Sequence, residues 1–558
     1  MSLFWQLVRS SRWPLSIAFI GSLVSGFGNA GLVALINQAL TASHEQLGTL
    51  GLQFLGLGVL VLVTRALSQT LFMSLGQRAK ATLRMQVLRR IGAAPYASLE
   101  RHGIARALAV LTQDLDAVVV LFVSLPVLAM QGAVIVGCLA YLGYLSWQIL
   151  VFAVVTILIG AAGFRMANTR ALLHLRGSRK REESLVKDFR ALFDGAKELK
   201  LHRGRREAFI EERLAENVEA VRVQRTRGYV LYAAAASWGS FILFAFIGLT
   251  LFVVLRHIDL PPAVVSGYAL VFLYMIMPIE GVLSSLPALG TARVAFERIA
   301  QVESELPREL LPAVPVPDAP AFDEIALEGV THRYYREQEN EMFTLGPISL
   351  TFRPGELVYL VGGNGSGKTT LAKLIVGLYA PEQGRITVDG VPVDEAGRDR
   401  YRQRFSVVFS DFFLFEHLLG LPADGLDAQA SALLKALQLD HKVTIEDGRF
   451  STLDLSQGQR KRLALLVAYL EDRPFYVFDE WAADQDPLFK DVFYRQMLPA
   501  LKARGKTVLV ITHDDRYFDL ADRLIQLDYG QLRAPQPPQS LHPTDFTDAT
   551  GTAPPERS

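Results

Sequence analysis

Apolar residues fall in six long runs along the first half of the 558-residue chain, at about 13–36, 47–66, 118–142, 149–166, 229–255 and 263–283. Roughly 20 such residues cross the hydrocarbon core of a bilayer as a helix, so each run predicts one membrane span. The connections between them come in two kinds. Those near 38–46 and 143–148 hold no Lys or Arg and the one near 256–262 holds only Arg256, whereas 67–117 and 167–228 are long and basic. The first long segment carries Arg78, Lys80, Arg84, Arg89, Arg90, Arg101 and Arg106; the second includes Arg170, Arg176, Arg179, Lys180 and Arg181 among many acids. Basic loops stay on the cytoplasmic side. The pattern therefore predicts six spans, both termini cytoplasmic, and two long cytoplasmic loops. Their charges alternate with apolar residues at helical spacing, so they read as continuations of the spans. The first run follows Arg9 and Arg12, is long for a signal-peptide core and lacks a clear cleavage site, so it reads as a retained anchor.

After the last run comes the proline-rich stretch 306–322, with the composition of a linker. The period then changes. Short apolar strands such as ELVYLVG and TVLVIT alternate with helical stretches, which is the pattern of an α/β domain. The end of the chain is polar and rich in proline, as in a disordered tail. These shifts divide the chain into a membrane domain at 1–305, a linker at 306–321, an α/β domain at 322–535 and a tail at 536–558. No internal repeat is evident.

Composition narrows the classes that remain. Half of the residues are hydrophobic, and the formal charge of +1, from 57 Lys and Arg against 56 Asp and Glu, offers no basic excess for nucleic acid. The single cysteine, Cys138, cannot form an intrachain disulfide and lies in an apolar run, where it reads as small apolar filler.

The chemistry sits in the second half. Gly362-Gly363-Asn364-Gly365-Ser366-Gly367-Lys368-Thr369 matches G-x-x-x-x-G-K-[ST] between a predicted strand, LVYLV, and a predicted helix, TTLAKLIVGLY. Glycines let backbone N–H groups crowd around phosphates, and the helix N-terminus adds positive potential. Lys368 would reach the β- and γ-phosphates, and Thr369 would ligate Mg²⁺. Further on, PFYVFDE is an apolar strand ending in Asp479 and Glu480, suited to a Mg²⁺ carboxylate and a general base for water; alone, it could simply be a strand end. In DLSQGQRKRLALLVAYL, Ser456 could be an ordinary N-cap. His513 closes another strand, a common place for a structural histidine.

Together and in this order, these pieces resemble the ATP-binding cassette, and six spans followed by a cassette resemble a half-size ABC exporter. The resemblance implies that the phosphate loop through Thr370 binds ATP, that Tyr334 in VTHRYY stacks on adenine, and that Glu480 polarises the attacking water. It implies that His513 contacts the γ-phosphate. Ser456, Gly458 and Gln459 would complete a nucleotide site of a partner chain, and Asp486 in AADQDP matches the D-loop aspartate. With one phosphate loop and one signature per chain, the resemblance implies a homodimer with two ATP sites. The stretches LFDGAKELKLHR, FSVVFSDFFLFEHLLG and FDEWAADQDPLFKDVFYRQMLPALKARGKTVLVITHDDRYFDLADR are similar to those of the cyclic-peptide and peptide-siderophore exporters of Gram-negative bacteria, the group with the pyoverdine-precursor and syringomycin exporters.

Two positions depart from the wider cassette pattern. Ser410 stands where most cassettes have glutamine, and Gln457 where the signature usually has glycine. Ser410, through a held water, or its neighbour Asp411 is expected to replace that glutamine near Mg²⁺; otherwise Asp411 merely caps a turn. Arg65 and Glu280, near the inner ends of their spans, are candidates for cargo contact, though either could snorkel or pair at the interface. The expected protein is an inner-membrane, lipid-embedded homodimer that uses ATP and Mg²⁺ to move a peptide-like metabolite to the periplasm. Export of a lipid or hydrophobic drug, or an ATP-gated regulator without sustained turnover, are the alternatives.

Overall fold

A computed structural model describes residues 9, 11–102, 104–252, 262–309, 321–336, 341–422 and 424–533. The chain forms two compact units. One contains the membrane helices, residues 1–88 and 105–304; the other is the α/β cassette, which also takes in residues 89–104.

Six helices in the first unit are long and apolar enough to cross a membrane, as the apolar runs predict. They belong to α1 (Arg12–Thr41), α2 (His44–Gly92), α4 (Leu115–Leu145), α5 (Trp147–Asp194), α6 (Ala215–Phe252) and α7 (Pro262–Glu305). Several run far beyond the apolar stretch. Helices α2 and α5 continue without interruption into the basic loops, so the charged segments are indeed helical extensions. The expected end of the fifth span, and Arg256 after it, lie outside the described residues. Large apolar side chains point outward over much of α2 and α5, including Leu52, Leu55, Leu62, Leu158 and Ile159. Lipid is as apolar as Leu, so burying these chains would gain nothing, and the helix contacts use small or hydroxyl residues instead. Ser22 and Ser68 share a 2.6 Å hydrogen bond between α1 and α2, and Ser68 also donates to the Ala18 carbonyl at 2.6 Å. Cys138 is buried beside Val134, Leu142 and Phe272, the filler role its surroundings predict.

The cassette is built on two sheets. In the antiparallel one, β2 (Glu341–Phe352) lies beside β1 (Ile325–Arg336), followed by β4 (Gln383–Val388) and β5 (Val391–Pro392). The second sheet runs in the order β12-β11-β3-β10-β9-β6. Its strands are β3 (Leu357–Val361), β6 (Phe405–Val408), β9 (Phe475–Asp479), β10 (Thr507–Ile511), β11 (Arg523–Asp528) and β12 (Gln531–Arg533). All neighbouring pairs are parallel except β11 with β12. Strands β9 and β10 are buried along their whole length, which explains their unbroken apolar sequence. A short hairpin that the sequence pattern does not announce, β7 (Ile445–Glu446) and β8 (Arg449–Phe450), turns at Asp447-Gly448, whose N–H groups donate to the Asp427 carboxylate at 2.8 and 2.9 Å.

The loop segment that belongs to the cassette unit is held by specific contacts. It includes the short helix α3 (Tyr96–His102). Lys373 pairs with Glu100 at 3.1 Å, the Tyr379 hydroxyl bonds to the same carboxylate, and Tyr96 and Ala97 pack against the cassette core. Arg402 holds Glu309 through both oxygens, and the Glu309 N–H donates to the Ala93 carbonyl at 2.8 Å.

Candidate functional site

The phosphate loop links β3 to helix α8 (Lys368–Ile375). This helix is shorter than the apolar pattern TTLAKLIVGLY suggests, because the Gly377 and Leu378 N–H groups turn back onto the Leu374 and Lys373 carbonyls. Gly362, Asn364, Gly365, Ser366 and Gly367 form the loop, and Lys368, Thr369 and Thr370 open the helix. Gly367 occupies the cap position in the left-handed region, φ +101°, where a side chain would also meet the Phe343 ring. The Ser366 hydroxyl is buried and has no hydrogen-bond partner among the described residues. The Lys368 ammonium is buried and donates to the Gly362 and Gly363 carbonyls at 2.9 and 3.0 Å. Burial depresses its pKa, against the pull of Glu480 and Asp479.

Parallel pairing brings the ends of β9 and β10 to this loop. The Thr369 hydroxyl donates to Asp479 Oδ2 at 2.9 Å, while Asp479 Oδ1 is buried with no partner among the described residues. Burial pushes the Asp479 pKa up; the Glu480 and Asp411 carboxylates add to the rise, and Thr369 and Lys368 oppose it. An unpartnered buried carboxylate oxygen beside a hydroxyl is a fitting place for a hard cation, whose remaining ligands would come from phosphate and water. Among the described residues no group of three or more His, Cys, Asp or Glu side chains could hold a metal alone. The Glu480 N–H donates to the Ile511 carbonyl at 3.0 Å, so main chain joins the two strand ends, and His513 Nε2 stands 3.4 Å from Glu480 Oε1. Ser410 and Asp411 are exposed in the turn after β6, and Asp411 is close enough to act on Asp479. Tyr334 pairs with Phe343 across β1 and β2, with ring centroids 5.2 Å apart. Phe343, which no motif points to, brings that aromatic pair against Gly367.

The signature opens α9 (Gln457–Glu471). Ser456 is its N-cap, as the simpler reading holds, in a reciprocal capping box with Gln459: the Gln459 N–H donates to the Ser456 hydroxyl oxygen, and the Ser456 N–H to Gln459 Oε1 at 3.2 Å. The cap takes the Gln459 N–H and leaves the Gln457 and Gly458 N–H groups of the first turn at the helix end. Gly458 admits no side chain, since a Cβ there would lie 2.7 Å from the Asp484 carbonyl oxygen. Its own carbonyl accepts from Gln485 Nε2 at 2.9 Å. Asp486 caps α10 (Pro487–Val492) by accepting from the Phe489 N–H and binds Arg462 at 2.6 Å. The Phe489 bond, then Arg462, hold its pKa down.

In the membrane unit, a cavity of about 590 Å³ is walled by α4, α5, α6 and α7. Gln131, Thr156, Tyr232, Glu280 and Ser284 supply its polar groups among residues such as Ile157 and Phe164. Of the two ionisable candidates for cargo contact, Glu280 lines this cavity and Arg65 does not.

Comparison with known proteins follows the same division. Residues 13–279 match the ABC transporter transmembrane region and residues 345–483 the ABC transporter domain. The chain is 36% identical over 95% of its length, and 95% of the relative's, to the ATP-binding protein SyrD of Pseudomonas syringae pv. syringae. It is 28% identical to an ATP-dependent lipid A-core flippase of Alkalilimnicola ehrlichii, over 82% of this chain and 79% of the relative. The flippase of Cupriavidus metallidurans is 27% identical over 81% and 77%. With the phosphate loop, acidic strand end and signature joined to six membrane helices, the chain belongs to the ABC exporters: it is a multi-pass membrane protein that binds ATP and couples its hydrolysis to transport.

Proposed function

We propose that the protein is a homodimeric exporter that moves a peptide-like secondary metabolite from the cytoplasm to the periplasm. It would reside in the bacterial inner membrane with both termini cytoplasmic, and the domain limits at 305, 321 and 535 belong to this reading. The observation that carries it is the similarity to SyrD, whose 36% identity exceeds the 25% to 28% of the lipid A-core flippases. The membrane cavity supports the same cargo. Its wall is largely apolar, carries Glu280, and among the described residues includes no Lys or Arg, so it suits an apolar body with a few donor or cationic groups. A polyanionic lipid headgroup would need the cations that this wall lacks.

In the cassette, Tyr334, beside Phe343, offers the adenine a stacking face, and the loop from Gly362 to Thr370 holds the phosphates. Thr369 and Asp479 fit Mg²⁺, which supplies charge neutralisation at the transferring phosphoryl group. Lys368 turns its ammonium from the loop carbonyls toward the β- and γ-phosphates. Glu480 accepts the proton of the attacking water, and His513 holds the γ-phosphate while its ring keeps Glu480 in place. Ser456, Gly458 and Gln459 present a helix N-terminus to the partner's nucleotide, with Asp486 beside it. Ser410 and Asp411 stand in for the missing glutamine.

The test is reconstitution of the protein in proteoliposomes, with a labelled cationic lipopeptide and a labelled phospholipid offered in parallel. ATP-dependent accumulation of the peptide, lost in Glu480→Gln, is the expected result. Flipping of the lipid without peptide uptake would overturn the assignment.

A further inference from the structure

Glu480 follows a fully buried strand in a left-handed conformation, φ +50°, that non-glycine residues seldom adopt unless their surroundings hold them there. Besides the Ile511 carbonyl and the Ala483 N–H, one restraint comes from the signature helix. Lys461 on α9 is 2% exposed, and its ammonium donates to the Glu480 carbonyl at 2.8 Å while pairing with Asp484 at 2.6 Å. In return, the Trp481 indole N–H donates to the Lys461 carbonyl at 2.8 Å. Trp481 is itself fixed, 1% exposed and stacked on Phe493 with centroids 4.3 Å apart. Side chain to main chain in both directions, the helix and the turn at 480–484 are stapled together.

A buried ammonium is costly unless its protons are used. Here two of its partners are the residue at the strand end and the aspartate four residues on. We propose that Lys461 is a positioning residue for hydrolysis: by holding the Glu480 main chain in its left-handed turn, it aims the carboxylate at the water and toward His513. A lysine within an amphipathic helix would serve stability equally well almost anywhere along it. The specific choice of the Glu480 carbonyl ties this one to the reaction. The inference rests on Glu480 being the general base, and the experiment below separates the two.

ATP hydrolysis and ATP binding are measured on the full chain in detergent or nanodiscs for Lys461→Met, Glu480→Gln and the double variant, using single-turnover conditions for the slow ones. Lys461→Met removes the donor and keeps the apolar stem. Misplacing a reacting group by about 1 Å can cost on the order of 10²-fold, so kcat should fall by about that factor while the affinity for ATP stays within about threefold. In the Glu480→Gln background the same change should cost almost nothing further, because a residue that acts through the carboxylate has nothing left to aim. A structural role would instead lower the melting temperature and ATP binding together and add its full effect in both backgrounds. If Lys461→Met does not fold, Asp484→Asn takes its place in the cycle, with a loss of about fivefold expected and the same absence of additivity. Normal kcat in the folded variant, or equal losses with and without the Glu480 carboxylate, overturns the proposal. A normal rate in Glu480→Gln alone would show that the base assignment has failed instead.

Discussion

Around the phosphate loop, Lys368, Thr369, Asp479, Glu480 and His513 come from the start of a helix and the ends of two parallel strands and meet within one chain, with Thr369 to Asp479 at 2.9 Å and His513 to Glu480 at 3.4 Å. The signature end is made differently. Ser456 and Gln459 bond each other, Gln485 closes on Gly458, and Arg462 gathers Gln485 and Asp486. These bonds stiffen a helix end whose first two N–H groups, of Gln457 and Gly458, are left for something else. One end is a site that lacks a lid, and the other is a lid with no site beneath it. Two such chains placed head to tail would complete each other, and binding across that junction would convert nucleotide occupancy into movement.

The comparison can be broken most severely at the convergent end. Glu480→Gln should keep ATP binding and lower hydrolysis by on the order of 10²-fold or more, measured as phosphate release, since it deletes the proposed general base. Turnover near that of the unaltered protein would remove Glu480 from the chemistry. Mixing sharpens the comparison at the divided end. Chains with Lys368→Ala and chains with Ser456→Arg should each be nearly inactive, but their heterodimer places both lesions in one composite site and leaves the other intact. Recovery of up to about half of the activity of one pair is expected if the sites work independently.

Smaller effects are expected away from both ends. Glu280→Gln should weaken a cationic peptide cargo by about tenfold, equivalent to 1.4 kcal/mol, read as the concentration for half-maximal transport. An uncharged cargo should change little, and equal losses for both would mean that Glu280 acts through the fold of the cavity. Asp411→Asn should raise the Mg²⁺ requirement by about threefold, and Ser410→Ala should lower the rate at saturating Mg²⁺ by a similar factor, as for a lost bridging water. If neither changes while transport stops, this turn couples the cassette to the membrane helices mechanically and plays no part in the metal and water network.

How much of this was legible in the sequence differs between the two units. Hydropathy located the six spans because a single apolar segment satisfies its own backbone in lipid as a helix. It could not mark their ends, since α2 and α5 continue as charged helices to Gly92 and Asp194, where solvent and lipid impose different side chains on one unbroken backbone. In the cassette, local motifs placed the loop, the strand ends and the Ser456 cap. Phe343 stayed invisible because its value lies in cross-strand pairing with Tyr334, set by the register of β1 and β2. Lys461 stayed invisible for a different reason: next to Arg460 and Arg462 it reads as part of a solvated basic face, and only the fold buries it against the Glu480 carbonyl. The β7–β8 hairpin was missed as well, its two-residue strands being too short to show a period.

The sharing of sites between chains is tested most directly by distance. A cysteine at Ser366 and another at Ser456, introduced on separate chains with Cys138 replaced by alanine, should form an intermolecular disulfide when ATP is bound to a Glu480→Gln background, seen as a band of twice the chain's mass that reductant removes. Disulfides require Cα atoms within about 7 Å, so only a phosphate loop seated against the partner's signature can give that band. Its absence with ATP bound and dimers present would contradict the account.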